Sequence, residues 1–100
     1  MVRHVIIWNY DEDKLPLKEQ SAYSARIKEV LEGLKGKVPG LLEIKVVTEK
    51  LPSSNGDIML DSLLESPAAL EGYQVHPAHL EAAQVVRAVV KTRSCMDFEV

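Results

Sequence analysis

The sequence predicts one α+β domain of the ferredoxin-like type, a four-stranded antiparallel sheet with its helices on one face. Three observations predict it. The periodic segments follow the order β-α-β-β-α-β, with the second helical region split in two. The 100 residues suffice for a single domain over residues 1–100 and not for two. Right-handed crossovers place both helical regions on the same side of the sheet.

Apolar periodicity predicts the first strand and the first helix. The segment from Arg3 to Asn9 is largely apolar on both faces, which is typical of a central strand. Pro16 suits the first turn of a helix, and Gly36 is suited to end it. The apolar stripe of this helix consists of Tyr23, Ile27, Val30, Leu31 and Leu34.

Two strands are predicted after a turn at residues 38–40. Leu42, Ile44 and Val46 alternate with charged side chains, as expected of a half-buried second strand. A loop rich in proline, serine and asparagine then leads to a more apolar third strand over Ile58 to Leu64.

Two helical segments and a last strand complete the chain. A serine followed by a proline predicts a short helix over residues 66–73. The pair His76 and Pro77 starts another helix, over residues 77–90, and residues 93–100 form the fourth strand. The apolar residues of these last two elements are Leu80, Ala83, Val86 and Val90 in the helix, and Met96, Phe98 and Val100 in the strand.

Composition excludes several classes of protein. A net charge of −3 argues against nucleic acid as a partner, and no apolar run is long enough to cross a membrane. The single cysteine, Cys95, excludes an internal disulfide and fits a reducing cytoplasm. The sequence has no P-loop, no dinucleotide-binding glycine motif and no nucleophile elbow, so we expect no cofactor.

The first strand also predicts assembly. His4, Ile6 and Trp8 point to one face of the sheet, while Val5 and Ile7 point to the other. Helices on one face leave the second apolar face bare, and an exposed apolar face of that size usually marks an interface. We therefore expect a homodimer with sheet packed against sheet.

Several short segments together resemble the stress-responsive A/B barrel family along essentially the whole chain. The segments are His4, Val38-Pro39-Gly40, Asp57, Glu65-Ser66-Pro67, Tyr73 to His79 and Arg93 to Phe98. The resemblance implies a dimeric α+β barrel, and many bacterial members are small proteins without an assigned reaction. In a plant polyketide cyclase of the family, the positions matching Tyr73 and His79 are catalytic and the position matching His4 lines the pocket. The resemblance thus implies Tyr73 and His79 as catalytic residues here.

The candidate site residues also have chemistry of their own. Tyr73, His76 and His79 are spaced by three and three, so a histidine base and a phenol donor could share one face. A ligand pocket would be completed by residues that could equally be core or capping residues: His4, Ile6, Trp8, Tyr23 and His76. His76 and His79 could be half of a metal site, with Glu81 or His4 as further ligands, but nothing in the sequence demands them and we expect no metal.

Two classes of function remain open. The first is a stress-responsive A/B barrel protein without assigned activity, whose homodimer has a pocket for a small apolar ligand. The second is a cofactor-free lyase or cyclase acting on a small apolar carbonyl compound. Four charged residues are expected to be solvated or paired at the dimer rim: Arg93, Asp57, Asp61 and Asp97. Cys95 is expected to be a partly buried, unreactive thiol.

Overall fold

The computed structural model describes residues 1–100 and confirms the predicted ferredoxin-like arrangement. The elements are β1 (Val2–Tyr10), α1 (Leu17–Glu32), β2 (Leu41–Val47), β3 (Ile58–Leu64), α2 (Pro67–Val75), α3 (Pro77–Arg87) and β4 (Val90–Glu99). The four strands form one sheet in the order β2-β3-β1-β4, and every neighbouring pair is antiparallel. No helix has the length and apolar character needed to cross a membrane.

Local chemistry explains why the second helical region is split. The Ser66 hydroxyl accepts a hydrogen bond from the backbone N–H of Ala69 at 3.1 Å, which caps α2, and proline stands at the first helical position. His76 has an extended conformation, with ψ of 134°, because the following Pro77 disfavours the helical region. Its Nδ1 then accepts from the N–H of Ala78 at 3.1 Å, so this one residue ends α2 and caps α3.

Strand β1 is central and has the two faces expected from its alternation. On one face, called the inner face below, His4, Ile6 and Trp8 are buried under the helices. Its neighbour β3 adds Leu60 and Ser62 to the same face, because each lies directly opposite a β1 residue in the register. The helices thus cover the face of the sheet that carries the candidate site.

The opposite face of the sheet is open. Val5, Ile7, Met59, Met96 and Phe98 share this face, as the register of β1 with β3 and β4 requires. Ile7 is 42% exposed and Met96 is 67% exposed, which are large values for apolar residues in a sheet. We call these five residues the open sheet face.

Four details of the predicted elements are wrong. Leu42 does not share a face with Ile44 and Val46, because the register shifts between Leu41 and Glu43 and a bulge reverses the alternation there. Leu80 is 43% exposed rather than part of the apolar stripe of α3, where neighbouring Ala82 is buried instead. Helix α1 ends at Glu32, earlier than Gly36, and β4 begins at Val90 rather than Arg93.

Two glycines with left-handed backbone allow a matched test of packing against α2. Gly36 has φ of +86° and open space around an added Cβ, whereas Gly40 has φ of +80° and an added Cβ would lie 2.6 Å from the Cβ of Ala69. Both alanine variants should lose about 1–2 kcal/mol of stability from backbone strain. Gly40→Ala should lose more, since α2 must also move.

Urea denaturation of the two variants checks this expectation. A lower midpoint for Gly40→Ala than for Gly36→Ala is expected. Equal midpoints would contradict the close packing of the turn before β2 against α2.

Candidate functional site

A cavity of about 280 Å³ lies between the inner face of the sheet and the helices. Five of the predicted site residues line it: His4, Ile6, Trp8, Tyr73 and His79. The structure therefore brings together residues that are up to 75 positions apart in the chain. Apolar side chains from α1, β3 and α3 complete its walls, and Gln74, Arg87 and Arg93 contribute polar groups.

Tyr73 is the most unusual residue of the cavity. Its side chain is 0% exposed, and its hydroxyl is the one buried side-chain polar atom without a hydrogen-bond partner. Burial raises the pKa of Tyr73 to about 12, so the hydroxyl keeps its proton at neutral pH. An unpaired buried hydroxyl costs about 1–3 kcal/mol. Tyr73 thus lines the cavity, and its hydroxyl is a hydrogen-bond donor with no acceptor within the chain.

His79 lies beside Tyr73, with ring centroids 4.4 Å apart. Its Nδ1 is 3.2 Å from the carbonyl oxygen of Gln74. A carbonyl can only accept, so Nδ1 carries the proton and Nε2 of the neutral ring is left as an acceptor. Burial, followed by the positive charge of Arg87, lowers the pKa of His79. The imidazole is therefore a neutral base at pH 7.

His4 is held from the other side of the cavity. Its side chain is buried, the ring centroid is 6.0 Å from that of Tyr73, and its Nδ1 forms a hydrogen bond with Oδ1 of Asp97. Asp97 stands directly opposite His4 in the β1–β4 register. Asp97 is exposed, as expected of a solvated charge, and its carboxylate also pairs with a buried histidine of the same chain, which the sequence did not predict.

Cys95 also differs from expectation. The thiol belongs to an exposed residue rather than a partly buried one, since β4 is an edge strand. Its Sγ lies 3.8 Å from Nδ1 of His4 and 3.6 Å from Oδ1 of Asp97. Loss of solvation around the sulfur, followed by the charge of Asp97, raises the pKa of this thiol, so it is protonated at neutral pH.

Two residues expected at the pocket do not line it. The Tyr23 hydroxyl donates to the carbonyl oxygen of Val85 at 2.6 Å, so it joins α1 to α3 instead. His76 is the cap of α3 described above, and its ring nitrogen is already engaged there. Both residues occupy the alternative, structural roles that their residue types allow.

The other predicted charges lie outside the cavity, apart from Arg93. Asp61 pairs with Arg3 at 2.8 Å. Asp57 pairs with Lys50 at 2.5 Å and also accepts from the backbone N–H of Tyr10. These residues therefore stabilise the sheet and its connecting loop rather than the site.

Sequence reasoning missed two features of the site. Arg87 and Gln74 line the cavity, but each is an ordinary polar residue on a helix and carries no signal of its own. The pairing of Asp97 with His4 depends on the register of β1 with β4. The apolar alternation of the two strands is enough to place Asp97 on the same face as His4. It does not determine which of several registers the strands adopt, so it does not identify Asp97 as the partner of His4.

Comparisons with known proteins agree with this fold. A family model described as "Stress responsive A/B Barrel Domain" matches residues 2–100. No curated protein sequence matches the chain. The chain is similar to a dimeric protein of unknown function with a ferredoxin-like fold from Bacteroides fragilis, at a TM-score of 0.90 and 25% identity, covering 99% of this chain and 95% of that one.

Two other solved structures have lower sequence identity and support the fold. One is a dimeric ferredoxin-like protein of unknown function from Thermobifida fusca, with a TM-score of 0.83, 19% identity and coverage of 99% and 90% of the two chains. The other is a hydroxynitrile lyase from Passiflora edulis, with a TM-score of 0.77, 20% identity and coverage of 97% and 90%.

The surroundings of His79 predict that its pKa is lowered. We expect the pKa of this imidazole to lie below 6.5, because burial and the facing charges of Arg87, His4 and Arg93 disfavour its cation. A lowered pKa in the folded state means that the unfolded chain binds the proton better. The stability contributed by neutral His79 is therefore present above pH 6.5 and is lost as the pH falls below it.

An NMR titration of the histidine ring signals measures this pKa. Arg87→Gln should move the titration of His79 upward, whereas Lys18→Gln, on the exposed first turn of α1, should leave it in place. An unchanged titration in Arg87→Gln would contradict the electrostatic part of the explanation.

Proposed function

The chain belongs to the stress-responsive A/B barrel family, and we propose that its cavity binds a small apolar carbonyl compound and transfers a proton at the carbon beside the carbonyl. Such chemistry is that of a cofactor-free lyase or cyclase. One observation carries the proposal: the unpartnered hydroxyl of Tyr73 and the neutral ring of His79 share one cavity wall. Tyr73 and His79 are then the catalytic residues.

The two groups have complementary roles. Nε2 of His79 takes the proton from the α-carbon, and the electron pair of the broken C–H bond moves into an enolate. The negative charge of the enolate builds on the former carbonyl oxygen. The Tyr73 hydroxyl donates a hydrogen bond to that oxygen and stabilises it. Because the pKa of Tyr73 is raised to about 12, the phenol donates its hydrogen bond without losing its proton.

The walls of the cavity favour an apolar ligand with few polar groups. Ile6, Trp8, Leu31 and Leu60 supply apolar surface, while the polar groups converge at Tyr73 and its neighbours. Ligand sites generally combine these features. The hydroxynitrile lyase from Passiflora edulis supports the view that this fold can carry a lyase. A packed interior would have favoured the first of the two classes, a protein without assigned activity.

We propose further that the chain is a homodimer in the cytoplasm. The open sheet face gives an apolar surface that a second copy would cover, and both bacterial neighbours named above are dimeric. The free thiol of Cys95 suits a reducing compartment.

Light scattering coupled to size-exclusion chromatography tests the dimer. We expect the mass of two chains at micromolar concentration. Phe98→Asp places a charge on the open sheet face and should shift the mass toward one chain, whereas Leu17→Asp, on an exposed position of α1, should not. A wild-type mass of one chain would contradict the proposed assembly.

Hydrogen–deuterium exchange at the α-carbon tests the chemistry without knowledge of the natural substrate. The probes are acetophenone, cyclohexanone and 2-heptanone in D₂O, with deuterium incorporation followed by NMR. We expect the wild-type protein to accelerate exchange of at least one ketone. Tyr73→Phe should slow this exchange by about 10²–10³-fold, and His79→Gln by about 10²–10⁴-fold.

Two controls make the result specific. The His76→Asn variant keeps a side chain that can cap α3, and it should catalyse deuterium exchange of the ketone at the wild-type rate. Tyr73→Phe should be as stable as the wild type or more so, because it removes an unpaired buried hydroxyl. Equal exchange rates in wild type and His79→Gln would overturn the acid–base proposal.

A further inference from the structure

Three side chains with different ligand chemistry meet at the edge strand, beside the cavity. Cys95 and Asp97 alternate on β4 and so point to the same face of the sheet. The register with β1 places His4 directly opposite Asp97. One nitrogen, one sulfur and one oxygen atom of these residues all lie within 4.8 Å of one another.

We propose that Nδ1 of His4, Sγ of Cys95 and Oδ1 of Asp97 bind one Zn²⁺ ion per chain. Thiolate, imidazole and carboxylate are the three ligand types that proteins offer to zinc, and three protein ligands leave a fourth position open to water. A thiolate and a carboxylate together balance the charge of the ion. This choice of ligands disfavours Mg²⁺ and Ca²⁺, which bind oxygen.

The distances suit a tetrahedral ion. Zinc bonds of about 2.0–2.3 Å hold ligand atoms about 3.5 Å apart in a tetrahedron. The sulfur of Cys95 lies 3.6 Å from the Asp97 oxygen and 3.8 Å from the His4 nitrogen. Zinc binding therefore requires that the Asp97 carboxylate rotate away from the imidazole, which this exposed side chain can do, and that the Cys95 thiol release its proton to solvent as the Zn–S bond forms.

The sheet holds the three residues in place before any ion binds. Their backbones belong to the β1–β4 ladder, and two of them are separated by a single residue on one strand. The buried hydroxyl of Ser62 donates to the carbonyl oxygen of His4 at 3.0 Å, which further fixes the histidine. Because Cys95 and Asp97 are exposed, an ion can enter from solvent. A preorganised, accessible set of ligands is what a metal site requires.

The proposal is independent of the acid–base function. Neither Tyr73 nor His79 is among the ligands, and the α-carbon exchange is measured with EDTA present. If Zn²⁺ does not bind, the exchange experiment can still succeed. If no exchange is seen, Zn²⁺ binding can still be measured.

Calorimetric titration of the reduced, full chain with Zn²⁺, and a parallel titration with Co²⁺, test the site. We expect one ion per chain and, with Co²⁺, a charge-transfer band that reports a thiolate ligand. Cys95→Ser should abolish that band. Cys95→Ser and Asp97→Asn should each weaken Zn²⁺ binding at least as much as the roughly 10–100-fold loss seen when supporting residues around metal ligands are removed.

A matched control lies on the same strand and the same face. Glu99→Gln, two residues beyond Asp97, should bind Zn²⁺ as the wild type does. The variant positions are exposed, so circular dichroism should report an unchanged fold for all three. Absence of Zn²⁺ binding in the wild type, or binding that survives Cys95→Ser, would overturn the proposal.

Discussion

Strand β1 imposes the constraint on which the rest of the structure depends. Successive side chains of a strand alternate between faces, so a single strand supplies both the wall of the cavity and the middle of the open sheet face. A shift of one residue would exchange the two sets and bury Arg3 under the helices. The antiparallel pairing of β1 with β3 on one side and β4 on the other prevents that shift. The cavity and the proposed interface are therefore fixed together.

The helices cover only part of the sheet, and this explains where the reactive side chains lie. The helices bury the inner face of β1 and β3, while every residue from Lys91 to Glu99 on β4 is exposed. Where the covered part of the sheet meets the exposed strand β4, a buried side chain can pair with a solvent-facing one, as His4 does with Asp97. Tyr73 lies deeper, and its unpaired hydroxyl lowers the stability of the chain by about 1–3 kcal/mol. A ligand that accepts from this hydroxyl would recover part of that cost.

Patterns in the sequence predict most of the fold and only part of the site. Alternation identifies β1 as central, and Ser66 with Pro67 and His76 with Pro77 locate the starts of α2 and α3, because these signals are local. The bulge at Leu42 and the partner of Asp97 depend on how strands align, which local patterns do not determine. Tyr23 and His76 have residue types suited to a pocket or to structural hydrogen bonds, and only the packing of α1 and α3 decides between these roles.

In the proposed function, the Tyr73 hydroxyl donates a hydrogen bond to the oxygen of a bound carbonyl compound. A crystal structure of the protein soaked with acetophenone tests it most directly. We expect the ketone in the cavity, with its oxygen about 2.5–3.0 Å from the Tyr73 hydroxyl and its methyl carbon facing Nε2 of His79. A cavity that excludes the ketone, or a Tyr73 hydroxyl already bonded to a protein group, would contradict it.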